Sequence, residues 1–131
     1  MPKPLFHMIA GAPTPVAPFS HAVEVDGWVL VTGQMPTDPD DATAALPVGV
    51  VAQTRRVMDN LALVLAGLGL GLEHAVQIRV YLTEFERDYA AMNETYASYF
   101  PLEQRPARTC VGVTALAVEA LVEIDLVAHR P

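Results

Sequence analysis

The sequence predicts an α+β fold in which one mixed β-sheet carries two helices on one face. The first observation is the pair Asp26-Gly27 between two apolar runs, a strong short signal for a β-hairpin. The second is a pair of segments with helical spacing of apolar residues, one on each side of an alternating stretch. The third is that two more alternating stretches follow the second helical segment. Helices that separate strands favour crossovers onto one face of a mixed sheet.

The predicted elements follow in the order β-β-α-β-α-β-β after an irregular lead-in. Residues 1–19 form that lead-in because they contain five prolines and little periodicity. The hairpin strands cover 20–25 and 28–32, the helices 50–66 and 86–100, the strand between them 76–82, and the last two strands lie within 105–113 and 122–127. Glycines after the first helix and Pro101 after the second stop these helices. A loop over 37–47, rich in Asp and Pro, separates the hairpin from the first helix.

The length and composition predict a single domain over residues 1–131. The 131 residues are 52% hydrophobic, which suffices for a core of its own. Charged residues make up only 18%, against about 25% in an average protein. The second strand begins Trp28-Val29-Leu30-Val31 and is apolar on both faces. Because helices cover only one face, the other needs a cover as well, and we expect an oligomer whose sheets pack against each other.

Charge and composition argue against several classes of function. The net charge of −7 speaks against a nucleic-acid partner, since nucleic-acid binders usually carry a basic patch. The single cysteine, Cys110, allows no intramolecular disulfide. No leader segment or apolar stretch of membrane-spanning length is recognised, so we expect a cytoplasmic protein without a membrane partner. The four histidines lack metal-ligand spacing, so no metal site is predicted. His21, in a predicted strand, either lines a pocket or, more simply, is a surface imidazole.

The last two predicted strands carry the candidate catalytic residues, Arg108 and Glu123. Side chains alternate along a strand, so Arg108 and Cys110 share one face, as do Glu123 and Asp125 on the next strand. If both strands lie in one sheet, the cation and the carboxylate can face the same space. An arginine fork suits a planar carboxylate ligand, and a nearby glutamate can move protons. The alternative is a structural cross-strand pair, worth about 0.2–1 kcal/mol.

Other residues are candidates for substrate contact, each with a structural alternative. Gly33, at the end of the second strand, allows close approach of the backbone, and Thr32 offers a hydroxyl beside it, although turn geometry alone also explains the pair. For Cys110, backbone groups are better ligand contacts than the sulfur, because a lone cysteine is most often a small buried residue. Asn93 on the second helix is most simply a satisfied core amide, or it reaches a pocket at the sheet edge.

Beyond these patterns, the chain resembles the RidA (YjgF-type) family of enamine/imine deaminases over nearly its whole length. The most specific segments are Arg105-Pro106-Ala107-Arg108-Thr109-Cys110 and Val122-Glu123-Ile124. The other matching segments are residues 17–22, 32–34, 53–61, 80–83 and 92–96. The resemblance implies a chorismate-mutase-like α+β fold assembled as a homotrimer, with active sites in clefts between subunits.

The resemblance also implies an activity. Members of the family hydrolyse reactive enamines and imines of the 2-aminoacrylate/2-iminopropionate type to a 2-keto acid and ammonia, without a cofactor. Carried over by position, Arg108 would clamp the substrate carboxylate, and Glu123 would orient and activate water. Backbone groups of Cys110 and Gly33 would hydrogen-bond the substrate.

Four further positions show how closely the chain follows the family. Thr32 stands where Ser is usual and keeps the hydroxyl, and Asn93 matches a family Asn near the site. Phe19 stands at a substrate-binding position where the deaminase archetype usually has Tyr, so a phenolic donor is missing. Ala117 replaces the usual Pro in the loop between the last two strands.

Three alternatives to this activity stay open. The protein could bind a 2-keto acid or another small carboxylate without turning it over. It could also deaminate a different enamine in a catabolic pathway, such as that of pyrimidines. A chaperone-like or nuclease function is the third, and the acidic charge speaks against it.

Overall fold

Six strands form a single mixed β-sheet, with two α-helices on one face, in the computed structural model, which describes residues 2–131. The strands are β1 (Leu5–His7), β2 (Ala22–Val25), β3 (Trp28–Gln34), β4 (Ala75–Leu82), β5 (Ala107–Gly112) and β6 (Val122–His129). The helices are α1 (Val50–Gly67) and α2 (Phe85–Ala97), and short 3-10 turns lie at Leu72–His74, Leu102–Gln104 and Ala117–Glu119. The predicted fold class is confirmed, although α2 ends before residue 100.

The strand order across the sheet is β1-β2-β3-β6-β4-β5. All neighbours run antiparallel except β4 and β5, which are parallel. Parallel neighbours need a crossover connection, and α2 supplies it. The last strand, β6, lies between β3 and β4, so β5 remains an edge strand and does not pair with β6.

The lead-in contains a short strand, β1, that was not predicted from the sequence. Residues Leu5–His7 pair antiparallel with β2, with Phe6 opposite Val23, so the observed order is β-β-β-α-β-α-β-β. Pro2 and Pro4 come just before this strand, and their lack of an N–H group is tolerated at a sheet edge. Three residues after two prolines are too few to show an alternating pattern. The prediction of a wholly irregular lead-in is therefore wrong.

The hydrophobic core lies between the helices and one face of the sheet. The fully buried apolar side chains of α1 recur at helical spacing and are Val57, Met58, Leu61, Val64 and Leu65. The strands contribute alternate residues to the same core, including Val29, Val31, Ile78, Val80, Ile124 and Leu126. Each fully buried aliphatic side chain stabilises the fold by about 1.5–3 kcal/mol. We call the covered side of the sheet the helix face and the other side the open face.

The open face is uncovered in the single chain and partly apolar. Trp28 is 45% exposed, Leu30 49% and Phe6 71%, whereas Val29 and Val31 on the helix face of β3 are buried. The prediction that this strand is apolar on both faces is confirmed. An exposed apolar sheet face of this kind is a typical protein interaction surface.

An irregularity in β3 precedes the candidate site. The register between β3 and β6 shifts between Val31 and Gln34, so Thr32 and Gly33 lie in a bulged stretch. Bulges bend a strand and re-aim its side chains, and they are common next to active sites. This bulge brings the backbone of Gly33 close to Glu123 of β6.

Candidate active site

Arg108 lies on the edge strand β5 and points to the helix face. In the parallel pairing with β4 it stands opposite Ile78, whose side chain is fully buried in the core. Its guanidinium carbon lies 4.9 Å from the centre of the Tyr96 ring, and Nη1 lies 3.9 Å from the sulfur of Met92. Within residues 2–131, no carboxylate lies at ion-pair distance from it. The ring and the thioether hold the cation without neutralising it, so its donors remain available to an anionic ligand.

A surface groove runs beside Arg108. It is lined by Asn93, Tyr96, Ala97, Arg105, Pro106 and Arg108. The side-chain oxygens of Asn93 and Tyr96 are buried without a hydrogen-bond partner in the described part of the chain. Buried polar atoms are nearly always paired, so these two oxygens are unusual, and both lie just behind the surface of the groove. Asn93 is therefore not a satisfied core amide but lines a groove at the sheet edge, which is the alternative that the sequence left open.

The Tyr96 phenol is neutral beside this groove. Burial raises the pKa of Tyr96 to about 12, although the positive charges of Arg108 and Arg105 act in the opposite direction. The hydroxyl therefore keeps its proton at neutral pH, and its oxygen is shielded from solvent behind the wall of the groove.

Cys110 lies two positions after Arg108 and is half-buried on the helix face, opposite Val80. Burial raises the pKa of its thiol, and the charge of Arg108 opposes this with a smaller effect. A thiol with a raised pKa is a poor nucleophile at neutral pH. Because β5 pairs only with β4, its outer edge carries backbone groups without a strand partner. These groups remain the predicted ligand contacts at Cys110.

Glu123 lies on β6 and points to the open face, opposite Tyr81 of β4. A Cβ atom on Gly33 would lie 2.9 Å from the carboxyl carbon of Glu123, so glycine lets the carboxylate lie against the backbone and a larger residue would displace it. Burial raises the pKa of Glu123, and the negative charge of Asp125 raises it further. Glu123 forms no hydrogen bond or ion pair through its side chain with any residue of 2–131. These are the properties of a general base.

Arg108 and Glu123 lie on opposite faces of the sheet. Paired residues on neighbouring strands share a face, and β4 lies between β5 and β6. Arg108 stands opposite the buried Ile78, whereas Glu123 stands opposite Tyr81, the third residue further along β4 and therefore on its other face. The expectation that the cation and the carboxylate face the same space is wrong within a single chain.

Thr32 and Phe19 lie near Gly33. Thr32 Oγ1 donates a hydrogen bond of 2.6 Å to the carbonyl of Ser20, so the hydroxyl ties the segment before β2 to β3. Phe19 and Gly33 line the same cavity, together with Met35. Because Phe19 has no phenolic hydroxyl, the wall of this cavity lacks that hydrogen-bond donor beside Gly33.

The structure sorts the predicted site residues into two groups. The Glu123 group, around the bulge of β3, comprises Phe19, Thr32, Gly33 and Glu123. The Arg108 group, at the β5 edge, comprises Asn93, Arg108 and Cys110. Ala117, the other departure from the family pattern, begins the exposed 3-10 turn between β5 and β6.

His21 is buried, and the prediction of a surface imidazole is wrong. Its Nδ1 accepts a hydrogen bond of 2.8 Å from the N–H of Ile9, and its Nε2 donates one of 2.7 Å to the carbonyl of Pro13. The ring therefore fastens the lead-in to the start of β2. No residue pattern around His21 signals these backbone partners, because they lie 8 and 12 positions away.

A charged cluster beside Glu123 was missed in the sequence. Arg79 donates two hydrogen bonds of 2.9 Å to the two oxygens of Asp125, and the hydroxyl of Tyr81 donates one of 3.1 Å to the same carboxylate. The alternation of 76–82 already placed Arg79 and Tyr81 on one face, but only the pairing of β4 with β6 shows that this face carries Glu123.

The described residues contain no group of three or more side chains that could hold a metal ion. Across residues 2–131, no helix has both the length and the apolar character needed to span a membrane.

The sequence profile of the Endoribonuclease L-PSP family matches residues 9–130, and the chain belongs to this family. The 3-aminoacrylate deaminase RutC of Acinetobacter baylyi is 38% identical over 130 residues, which cover 98% of this chain and 99% of that protein. The structure of RidA from a Psychrobacter species has a TM-score of 0.85 at 33% identity, covering 94% of this chain and 98% of that one. Escherichia coli TdcF with bound serine has a TM-score of 0.85 at 28% identity, covering 95% and 99%. The resemblance to the RidA family is confirmed.

Proposed function

We propose that this protein hydrolyses a small enamine or imine that carries a carboxylate, releasing ammonia and a keto acid. The observation that carries the proposal is the state of Glu123. This half-buried carboxylate has a raised pKa, no ionic partner among residues 2–131, and a glycine against it. A base in this state can take a proton from water near neutral pH. Arg108, without a carboxylate partner in the same part of the chain, supplies the complementary anion-binding group.

We further propose that two copies of the chain complete each site within a homotrimer. Arg108 and Glu123 of one copy lie on opposite faces of the sheet and cannot hold the same small molecule. The open face around Glu123 also carries the exposed side chains of Trp28 and Leu30. Docking the β5 edge of one copy against the open face of the next would bury this apolar surface. It would also bring the Arg108 group of one copy to the Glu123 group of its neighbour.

The reaction follows from the groups assembled in this way. The carboxylate of the imine tautomer pairs with the guanidinium of Arg108 through two parallel hydrogen bonds. Glu123 takes a proton from water as the oxygen bonds to the C=N carbon, and passes this proton to the nitrogen, which becomes an amine. Backbone N–H groups at Gly33 and Cys110 stabilise the tetrahedral species. Glu123 then takes the proton of the new hydroxyl group and passes it to the amine, so the C–N bond breaks as the C=O bond forms and the nitrogen leaves as ammonia. No step requires a cofactor.

The activity is tested by ammonia release from enzymatically generated 2-aminoacrylate. We expect the protein to accelerate this release, and Arg108→Ala and Glu123→Gln each to reduce kcat/KM by about 10²–10⁴-fold. Lys3→Ala is the control, because it removes an exposed cation far along the chain from both groups. An Arg108→Ala variant with the wild-type rate would contradict the assignment.

A second candidate substrate is 3-aminoacrylate. It is favoured by the similarity to the deaminase RutC, which spans nearly the whole of both chains. Comparing kcat/KM for 2-aminoacrylate and 3-aminoacrylate decides between them. The two compounds differ in the distance from the carboxylate to the carbon that is attacked, so one spacing between Arg108 and Glu123 cannot suit both equally well.

Carboxylate binding without turnover is the non-enzymatic alternative. The absence of a phenol at Phe19 favours it, because one polar group of the deaminase archetype is missing from the cavity wall. Binding of a 2-keto acid in a calorimeter, with no ammonia release from either enamine, would establish this alternative. The ribonuclease named in the family description would require a salt-dependent affinity for RNA, for which a chain of net charge −7 is poorly suited.

A further inference from the structure

Two neighbouring carboxylates on the open face have very different surroundings. Asp125 accepts three hydrogen bonds, two from Arg79 and one from the hydroxyl of Tyr81. Glu123, two residues earlier on the same strand, accepts none from residues 2–131 and contacts Gly33. The only cation in this cluster is thus committed to the carboxylate that the proposed reaction does not use.

The pairing of β4 with β6 explains why Arg79 has a choice of partner. Arg79 stands directly opposite Asp125, and Tyr81 directly opposite Glu123. The diagonal neighbour of Arg79 is therefore Glu123. Diagonal neighbours lie about 7–8 Å apart, which a long side chain can span. In the single chain Arg79 is 59% exposed, so no packing within the chain prevents its guanidinium from turning to Glu123 when Asp125 is absent.

Tyr81 lies beside Glu123 but forms its hydrogen bond with Asp125. Its hydroxyl is directed to Asp125 at 3.1 Å, so it does not donate to Glu123, while its ring lies on the same face directly beside Glu123. Burial raises the pKa of Tyr81, and the charge of Asp125 raises it further, so the phenol stays neutral. On the β3 side, Glu123 meets Gly33, which does not titrate. Among residues 2–131, the charged and titratable groups that face Glu123 are then Arg79, Tyr81 and Asp125.

We propose that Asp125 is a positioning residue that holds the guanidinium of Arg79 away from Glu123 and so keeps Glu123 free to act on water. This inference rests on the proposed function for its effect on the reaction, but its effect on Glu123 can be measured separately. In the trimer, Arg105 and Arg108 of a neighbouring copy would be the other cations near the site, and Arg108 would be paired with the substrate carboxylate.

The proposed role of Asp125 predicts the direction in which its replacement shifts the pKa of Glu123. Burial and the negative charge of Asp125 both raise the pKa of Glu123. Replacing Asp125 by Asn removes that charge and also releases Arg79, and a cation that turns to Glu123 favours its ionised form. Both effects lower the pKa of Glu123, which makes it a weaker base.

The test compares the wild-type protein with Asp125→Asn. We expect the NMR titration of the Glu123 carboxyl, in protein labelled at glutamate carboxyl carbons, to move to lower pH. The acidic limb of the kcat/KM profile should move in the same direction. We also expect kcat to fall about tenfold, since base catalysis is weakened rather than removed, while KM changes little. Tyr81→Phe is the matched control, because it removes one hydrogen bond to Asp125 but keeps the ring and the Arg79 fork.

A double variant separates this role from a loss of folding. Adding Arg79→Gln to Asp125→Asn removes the released cation, so the titration of Glu123 and kcat should return part of the way to wild type. A Glu123 titration that is unchanged in Asp125→Asn, or a double variant no different from the single one, would overturn the inference. A wild-type protein without ammonia release would overturn the proposed function instead, and the NMR titration would still decide whether Asp125 controls Glu123.

Discussion

Replacing Gly33 by Ala tests whether the position of the Glu123 carboxylate matters for hydrolysis. The added Cβ would lie 2.9 Å from the carboxyl carbon of Glu123 and closer still to its Oε2. Gly33 does not occupy the left-handed region of backbone space, so alanine fits its backbone without strain. The main obstacle to the methyl group is therefore the carboxylate itself, which is the flexible end of a side chain and can move.

The size of that movement sets the expected loss of activity. Ordinary contacts of a Cβ atom begin at 3.4 Å, so the carboxyl carbon must retreat by about 0.5 Å and Oε2 by more. A displacement of about 1 Å in a catalytic group can cost about 10²-fold in rate. We expect kcat for enamine hydrolysis to fall by roughly 10–100-fold in Gly33→Ala, with KM changed less. The free energy of unfolding should stay within about 1 kcal/mol of wild type, because Gly→Ala at an unstrained position is itself mildly stabilising.

Gly71→Ala is the matched control for this measurement. A Cβ on Gly71 would also meet a glutamate, at 2.7 Å from the carboxyl carbon of Glu73. That glutamate is exposed and lies outside both groups of site residues. Steady-state kinetics and urea unfolding of both variants complete the test. A folded Gly33→Ala protein with the wild-type kcat would refute the assignment of Glu123 as the base.

Three more predictions follow from the same geometry. Mixing Arg108→Ala and Glu123→Gln chains in equal amounts should restore activity at about one quarter of the sites, because a site between two copies then receives both intact residues at that frequency. Two inactive variants that stay inactive after subunit exchange would contradict a shared site. The unfolding free energy of Glu123→Gln should rise relative to wild type as the pH rises from 4 to 7, because a carboxyl whose pKa is raised by folding destabilises the native state once it ionises. If urea unfolding shows this difference in stability shrinking with rising pH, the raised pKa is contradicted. Asn60→Leu should lose about 2–4 kcal/mol of unfolding free energy, since its Nδ2 donates to the buried carbonyls of Met35 at 3.0 Å and Thr37 at 2.9 Å; a loss below about 1 kcal/mol would show that these carbonyls find other partners.

The sequence predicted most elements because each carries its own signal. The Asp26-Gly27 hairpin, the two helical stripes and the alternation of 76–82 are local patterns, and the structure contains all of them. The strand Leu5–His7 has no such pattern, because it is held by its pairing with β2 rather than by its own residues. The burial of His21 was not predicted for a related reason: its partners are backbone groups of a proline-rich segment.

The site could be predicted only in part, because alternation within a strand does not tell which face is buried. On β5, the apolar Val111 lies on the face opposite to Arg108 but is 42% exposed, and it is Arg108 that faces the helices. The register with β4 determines which face of β5 is turned to the helices, because it places Arg108 opposite the buried Ile78. A long cationic side chain at a sheet edge can lie on the helix face because its charge still reaches solvent. The separation of Arg108 from Glu123 is thus a property of the sheet and not of either strand.

The placement of Arg108 and Glu123 on opposite faces also has a kinetic consequence. In a protein whose site lies within one chain, the activity per chain does not change on dilution. Where a site needs an edge from one copy and a face from another, dilution below the dissociation constant of the assembly separates folded chains that are each incomplete. Specific activity would then follow mass action, and the cell could set the capacity for removing a reactive enamine through the amount of protein that it makes.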